Sequence, residues 1–368
     1  SSDLLKDHYS YGREVWKSFR KDRSAMAGLM ILCLIILMAL LAYVIAPDNS
    51  ANGNRQILEI QSLKPGSRFQ FLHIPEKNTT EQGLADKWLN GHKHPENLIP
   101  IISYKINDKH IEIERYIDED TTVHEQYALD SLGYSEKSIK PLNINKSFLL
   151  GTDGFGRDVL SRLIIGSRVS LAVGLMGMLV SVIVGLILGM LAGYRGGRTD
   201  AVISWFLNIS WAIPTLLLVF AISMVLGKGM WQIFLAVGLT MWVNVARIVR
   251  GQVMLVKKME YIEAARVLGF SDIRILFRHV LPNISGPLIV IATSNFATGV
   301  MLEAGLSFLG IGVQPPAPSW GLMIRENYTY LITGNPIPAL GPGFAITAVV
   351  FSLNMIGNGL RDAIAVKK

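Results

Sequence analysis

Residues 263–282 read EAARVLGFSDIRILFRHVLP and lie between two apolar runs, each long enough to cross a bilayer. Arg266, Arg274 and Arg278 lie within this stretch and Lys257 and Lys258 precede it, which puts it on the cytoplasmic side. Met259, Ile262, Ala265 and Leu268 recur at helical spacing. Gly269 follows the last of them, where a helix ends in the left-handed conformation that glycine adopts without strain. Ser271 and Asp272 suit the start of a second short helix, and Pro282 marks the start of the next membrane segment. The reading is a helix, a fixed corner and a second helix, with a small pair, Ala264 and Ala265, where another surface can come close.

Composition agrees with a membrane protein. Of 368 residues, 50% are hydrophobic and 17% charged, against about a quarter charged in soluble domains. A net charge of +7 raises nucleic acid as a partner, but the charge is in the wrong places. About half of the Lys and Arg residues fall in 6–23, 195–198, 247–278 and 361–368, beside apolar runs, while 48–146 is slightly acidic. Such a distribution sets topology and is no nucleic-acid footprint. The single cysteine, Cys33, excludes an internal disulfide.

In chain order, residues 1–23 form a basic cytoplasmic segment and 24–46 a first transmembrane helix. No A-x-A-like cleavage site follows, so it reads as an uncleaved span and not a signal peptide. Residues 47–149 form an extracytoplasmic insertion. Alternation in Arg68–Ile74 and Lys109–Ile117 predicts strands, and Lys64-Pro65-Gly66, Asn90-Gly91 and Ile106-Asn107-Asp108 predict turns, giving a small, independently folded α+β domain. His92 and His94 lack partner ligands, and the sequon at Asn78 is too short a pattern to carry weight. Further spans are expected over Val169–Tyr194, Ala201–Gly227 with a kink at Pro214, Met230–Val249, Asn283–Gly312 and Gly341–Leu360. Gly177, Ser181, Gly185, Gly189 and Gly193 recur in steps of four, the small-residue pattern that lets helix backbones approach closely in lipid. In Leu150–Arg168, Asp153 and Asp158 are placed to cap turns and to pair with Arg157, Arg162 or Arg168. Trp320, Tyr328 and Tyr330 suit an interface-lying segment. Glu303 stands within a span, where a carboxylate costs roughly 2.5–3.5 kcal/mol or more. It either lines a path or pairs near the outer helix end.

Three motifs carry a family resemblance. E-A-A, three residues, G, nine residues, then H-x-L-P resembles the EAA loop of permease subunits of ABC-type importers, with His279 as in the dipeptide branch. G-T-D-x-x-G-R-D-V before the second span and L-E-A-x-L-S-F-L-G-x-G-V-Q-P-P around Glu303 resemble the dipeptide and oligopeptide permeases. The resemblance covers the chain outside the insertion. It implies an all-α polytopic membrane protein, with six transmembrane helices in the type I ABC importer permease fold and the α+β insertion outside the membrane. Residues 150–368 would be the core, and 257–282 the coupling loop that docks on an ATPase. Within the loop Tyr261, Glu263, Ala264, Ala265, Gly269, Phe270, His279 and Pro282 are the implied ATPase contacts.

The same resemblance implies a heterodimer with a second homologous permease, two cytoplasmic ATPases and an extracytoplasmic substrate-binding protein, in a bacterial cytoplasmic membrane with both termini inside. No cofactor is expected, ATP being bound by the partner subunits, since no G-x-x-x-x-G-K-[ST] occurs here. Peptides are the implied cargo, with nickel complexes or sugars as alternatives. An intramembrane enzyme would need a constellation such as H-E-x-x-H or G-x-S-x-G, and neither is present. A non-transporting partner that passes force to an envelope protein is the remaining alternative.

Overall fold

The computed structural model describes residues 12–74, 82–92, 97–107, 110–118, 120–128 and 143–365. Residues 1–11, Asn78, His94, Lys367 and Lys368 lie outside them. The helices are α1 (Arg23–Leu40), α2 (Leu84–Asn90), α3 (Val159–Arg195), α4 (Gly197–Ala212), α5 (Thr215–Leu226), α6 (Met230–Val256), α7 (Glu260–Val267), α8 (Asp272–Ile275), α9 (Leu281–Phe308), α10 (Trp320–Asn327) and α11 (Ile337–Ala365). Five runs among the described residues are long and apolar enough to cross a membrane, or six if the bent α4–α5 pair is one span. The chain is a multi-pass membrane protein.

Two compact units divide it: residues 1–36, 170–314 and 345–368 in one, and 37–169 and 315–344 in the other. In the first, α3 and α6 pack at near-backbone contact. A Cβ added at Gly177, Gly185, Gly189 or Gly193 would come within 2.5–2.7 Å of Val237, Val245, Ala246 or Arg250. Ser181 turns instead to α9, accepting from Asn295 Nδ2 at 2.9 Å. Arg250 and Asp200 tie α6 to α4 through a two-pronged pair, Nη2 to Oδ2 being 2.7 Å.

The second unit carries the insertion as a five-stranded antiparallel sheet. Its strands are β1 (Ser67–Ile74), β2 (Asn97–Ile106), β3 (His110–Tyr116), β4 (Thr122–Ala128) and β5 (Asn143–Phe148), in the order β4-β3-β2-β1-β5. In β3, Ile111 and Ile113 are buried and alternate with Glu112 and Glu114, as a half-buried strand requires. With Leu72 and Ile101 they make one core, while Ile57, Ile60, Phe71 and Phe148 make another. β2 was not expected, because NLIPIISYKI lacks alternation; neither were β4 and β5, which are mostly polar. Segment 315–344 shares this unit. Trp320 Nε1 donates to Leu163 O at 3.0 Å, and Asn335 Nδ2 donates to Leu63 O at 3.3 Å.

Several sequence expectations are corrected here. Asn90-Gly91 is the end of α2, with Gly91 in the left-handed region at φ 74°. The first span stops at Leu40 and resumes as a single helical turn, Ala42–Ile45. The second begins at Val159, ten residues early, because Asp158 Oδ2 accepts from Ser161 N at 2.8 Å and caps it. Pro214 makes a 99° break, not a kink. Ile213 is extended there and Pro214, at ψ 127°, is also non-helical, proline having no N–H for the helix and forcing its predecessor out of helical geometry. Pro282 sits in the first turn of α9, but helical winding runs back unbroken through a π-helical turn, Leu276–Val280, to Asp272. Trp320, expected at a membrane interface, is fully buried.

Candidate functional site

The corner in 257–282 is built by backbone hydrogen bonds. Phe270 N donates to Ala265 O at 3.1 Å and Gly269 N to Arg266 O at 2.9 Å, with Gly269 at φ 74°. This 6→1 and 5→2 pair is a complete Schellman ending, and it requires a residue that tolerates the left-handed region. Ser271 stands at the start of α8, but its side chain makes no cap. Asp272 instead accepts from Tyr194 Oη at 2.7 Å.

One face of the loop is sunk into the first unit. Ile262, Ala265, Ile275 and Val280 are buried with Met190 and Tyr194 of α3, Val253 and Val256 of α6, and Ile284 of α9. Tyr194 is the fixing point. Its hydroxyl holds Asp272, its carbonyl accepts from Lys257 Nζ, and its ring lies 5.2 Å from the Arg266 guanidinium. Its place directly after Gly193 gives no sign of this role in the sequence. Phe270 stacks on His279 with ring centroids 6.3 Å apart, and Arg274 lies 4.4 Å over the Phe270 ring.

The other face is apolar and bare. Val267, Leu268, Ile273 and Phe277 are 88%, 72%, 71% and 60% exposed, beside exposed Glu263 and Ala264. Partial burial raises the Tyr261 phenol above its ordinary value. The small pair is therefore divided, Ala264 facing out and Ala265 facing the chain's own core. Val267, Leu268, Ile273 and Phe277 are contact candidates that motif spacing did not single out. Their signal was large apolar residues in an otherwise charged loop.

Glu303 lies elsewhere. It is fully buried, accepting from Ser170 Oγ of α3 at 2.9 Å and from Ser307 Oγ at 2.7 Å. Ser307 Oγ in turn accepts from Val313 N at 3.0 Å. Among the two sequence readings, the geometry supports a carboxylate tied down inside the fold near the end of α9.

In the second unit the G-T-D-x-x-G-R-D stretch forms an ion cluster. Arg157 donates from Nε to Asp153 Oδ2 and from Nη2 to Glu326 Oε2, both at 2.7 Å, and Arg162 Nη2 donates to the same Glu326 oxygen at 3.0 Å. Asp158 stands apart from it. Burial pushes the Asp158 carboxyl above the usual carboxylate range, although Ser161 donates to it from backbone and side chain. Among the described residues no group of three His, Cys, Asp or Glu could hold a metal ion.

Residues 185–367 match the family described as "Binding-protein-dependent transport system inner membrane component", and residues 10–65 match "N-terminal TM domain of oligopeptide transport permease C". An oligopeptide transport system permease protein of Bacillus subtilis is 40% identical over 220 residues, 60% of this chain and 72% of that one. A dipeptide transport system permease protein of the same organism is 30% identical over 355 residues, covering 96% and 85%. A glutathione transport system permease protein of Pectobacterium atrosepticum is 39% identical over 215 residues, covering 58% and 71%. Among solved structures, the inward-facing methionine ABC transporter MetNI aligns with 56% of this chain at 21% identity and TM-score 0.45.

Proposed function

From the premise that this chain belongs to the family of binding-protein-dependent transport permeases, in its peptide branch, we propose that it is one of two permease subunits of an ATP-driven peptide importer. It carries no ATPase site of its own and binds no cofactor, ATP being held by two partner ATPases. A related permease supplies the other half of the path, and an external binding protein delivers cargo. The termini and the 257–282 loop are cytoplasmic. The observation that carries the reading is the loop itself, one face locked into α3, α6 and α9 and the other presenting Val267, Leu268, Ile273 and Phe277. Each such side chain contributes about 1.5–3 kcal/mol when buried against a partner. A loop fixed on one side and adhesive on the other transmits a push as a rigid body, which is what alternating access asks of it.

The test is a pull-down of the solubilised chain followed by mass spectrometry, comparing wild type with Gly269→Asp. Space beside Gly269 is open, so the substitution acts through the left-handed backbone and the charge it adds. A second permease and ATPases should follow wild type, and the mutant should lose the ATPases while keeping the permease. Wild type recovered alone would refute the reading.

Glu303 serves in this scheme to hold α9 on α3, not to meet cargo. Glu303→Gln, whose carbonyl can still accept from one serine while its amide nitrogen donates to the other, is expected to support uptake near wild type. Glu303→Leu leaves Ser170 and Ser307 without that acceptor and should destabilise the chain by about 1–3 kcal/mol, read as a fall in melting temperature. Uptake abolished by the glutamine at normal expression would place Glu303 in the path after all.

A further inference from the structure

Two cavities in the first unit share a wall. One, of about 140 Å³, lies at the α4–α5 break and is lined by residues that include Asn244, Ser294 and Thr298. The other, of about 380 Å³, is lined by residues that include Ser294, Asn354, Asn358 and Arg361. Ile291 and Ser294 belong to both, so the two adjoin along α9 as two pockets of a groove. The spacing fits single helix faces: Asn244 of α6, then Ser294 and Thr298 of α9, then Asn354, Asn358 and Arg361 of α11.

All six of these side chains are exposed, and the first four sit in the middle stretches of membrane-spanning helices. Thr298 Oγ1 donates to Ser294 O at 2.9 Å, but lipid cannot cover the asparagines cheaply. Stripping an amide of water with no replacement hydrogen bond costs roughly 2–7 kcal/mol. The broken backbone at Ile213 and Pro214 points the same way, because non-helical backbone at membrane depth persists only where it is buried in protein or lines a wet cavity. Elsewhere the exposed surface is of the kind lipid accepts: on α5, Leu217, Met224 and Val225 are 61–86% exposed. Among the described residues Arg361 is the only ionised side chain lining either cavity, and it stands near the end of α11.

We propose that this groove is the chain's share of the translocation path, and that it takes solutes presenting peptide amides. Asparagine, serine and threonine offer both donors and acceptors to a peptide backbone and discriminate little among its side chains. The groove runs toward Arg361, so it is the cytoplasmic half of the path that stands open here. The inference rests on the permease reading and deepens it.

The test uses the assembled transporter in liposomes with Cys33, itself exposed, replaced by serine. Single cysteines are placed by Ser294→Cys, Asn354→Cys and, as a lipid-facing control, Val225→Cys. A charged, water-soluble methanethiosulfonate should modify the first two about tenfold faster than the control, and ATP with vanadate should suppress that difference. Reaction no faster than the control would mean that lipid or a partner helix fills the groove, and a rate indifferent to nucleotide would mean a static cavity. Either result overturns the proposal while leaving the ATPase pull-down intact. In a second measurement, Asn244→Leu and Asn354→Leu should lower uptake of dialanine about tenfold with assembly unchanged. Uptake unaffected by both would remove the amide-recognition part. No dialanine uptake by wild type would instead count against peptides as cargo.

Discussion

Glu326→Ala is expected to destabilise the chain by about 3–5 kcal/mol, the usual consequence of leaving a buried charge uncompensated. The cluster consists of two guanidiniums and two carboxylates, and its balance is local. Arg157 and Arg162 are 4% and 1% exposed at the side chain, and both donate to the same Glu326 oxygen. Asp153 Oδ2 lies 2.7 Å from Arg157 but 3.8 Å from Arg162, and Arg162 Nε has no hydrogen-bond partner. Removing Glu326, itself 15% exposed, leaves one net positive charge on two arginines that are 4% and 1% exposed, and Arg162 suffers most. Glu326→Gln keeps an acceptor but not the charge and should fall between wild type and alanine. Melting of the solubilised full chain measures both, with the alanine variant lower by about 5–10 °C. An unchanged melting temperature would mean that the arginines swing to solvent and that the cluster contributes little.

That cluster also shows where sequence reading stops. Asp153, Arg157 and Arg162 were legible as a charged set because they lie within ten residues of one another on a strongly patterned stretch. Glu326 was not. It sits in an ordinary amphipathic segment far along the chain, and nothing local marks a carboxylate as a partner for distant arginines. The loop corner was legible for the opposite reason, since a Schellman ending is written in consecutive residues and Gly269 announces it. Tyr194 was invisible because its hydroxyl, carbonyl and ring serve three different neighbours, and none of those contacts has a periodicity. Proline at 214 signalled an interruption but not its size. Proline fixes its own φ, while the bend depends on ψ at Ile213 and Pro214, which tertiary packing sets. The groove residues were hidden in plain view. Isolated Asn and Ser within apolar spans acquire meaning only when three helices bring them to one surface.

Gly189→Leu should break the coupling device without touching the loop. A Cβ at Gly189 would lie 2.7 Å from the Ala246 carbonyl oxygen and 2.8 Å from Val249 Cβ. The first of these is backbone and cannot move aside by a rotamer change. Overpacking ordinarily costs about 1–3 kcal/mol, and relief here requires α3 and α6 to separate along their length. Those helices are two of the loop's three supports. α6 leads into α7 through Lys257, and α3 ends at Tyr194, which holds Asp272, Lys257 and Arg266. The expected result is a lower melting temperature together with ATPase activity that no longer responds to cargo, although every residue from Tyr261 to Pro282 is unchanged. Gly251 on α6 is the control. Nothing lies within 4 Å of a Cβ there, so Gly251→Ala should stabilise by about 0.5–1 kcal/mol through helix propensity and leave coupling intact. If both variants behave alike, the α3–α6 contact is not what carries force to the loop, and Tyr194 alone would have to do so, which Tyr194→Phe would then expose by freeing Asp272.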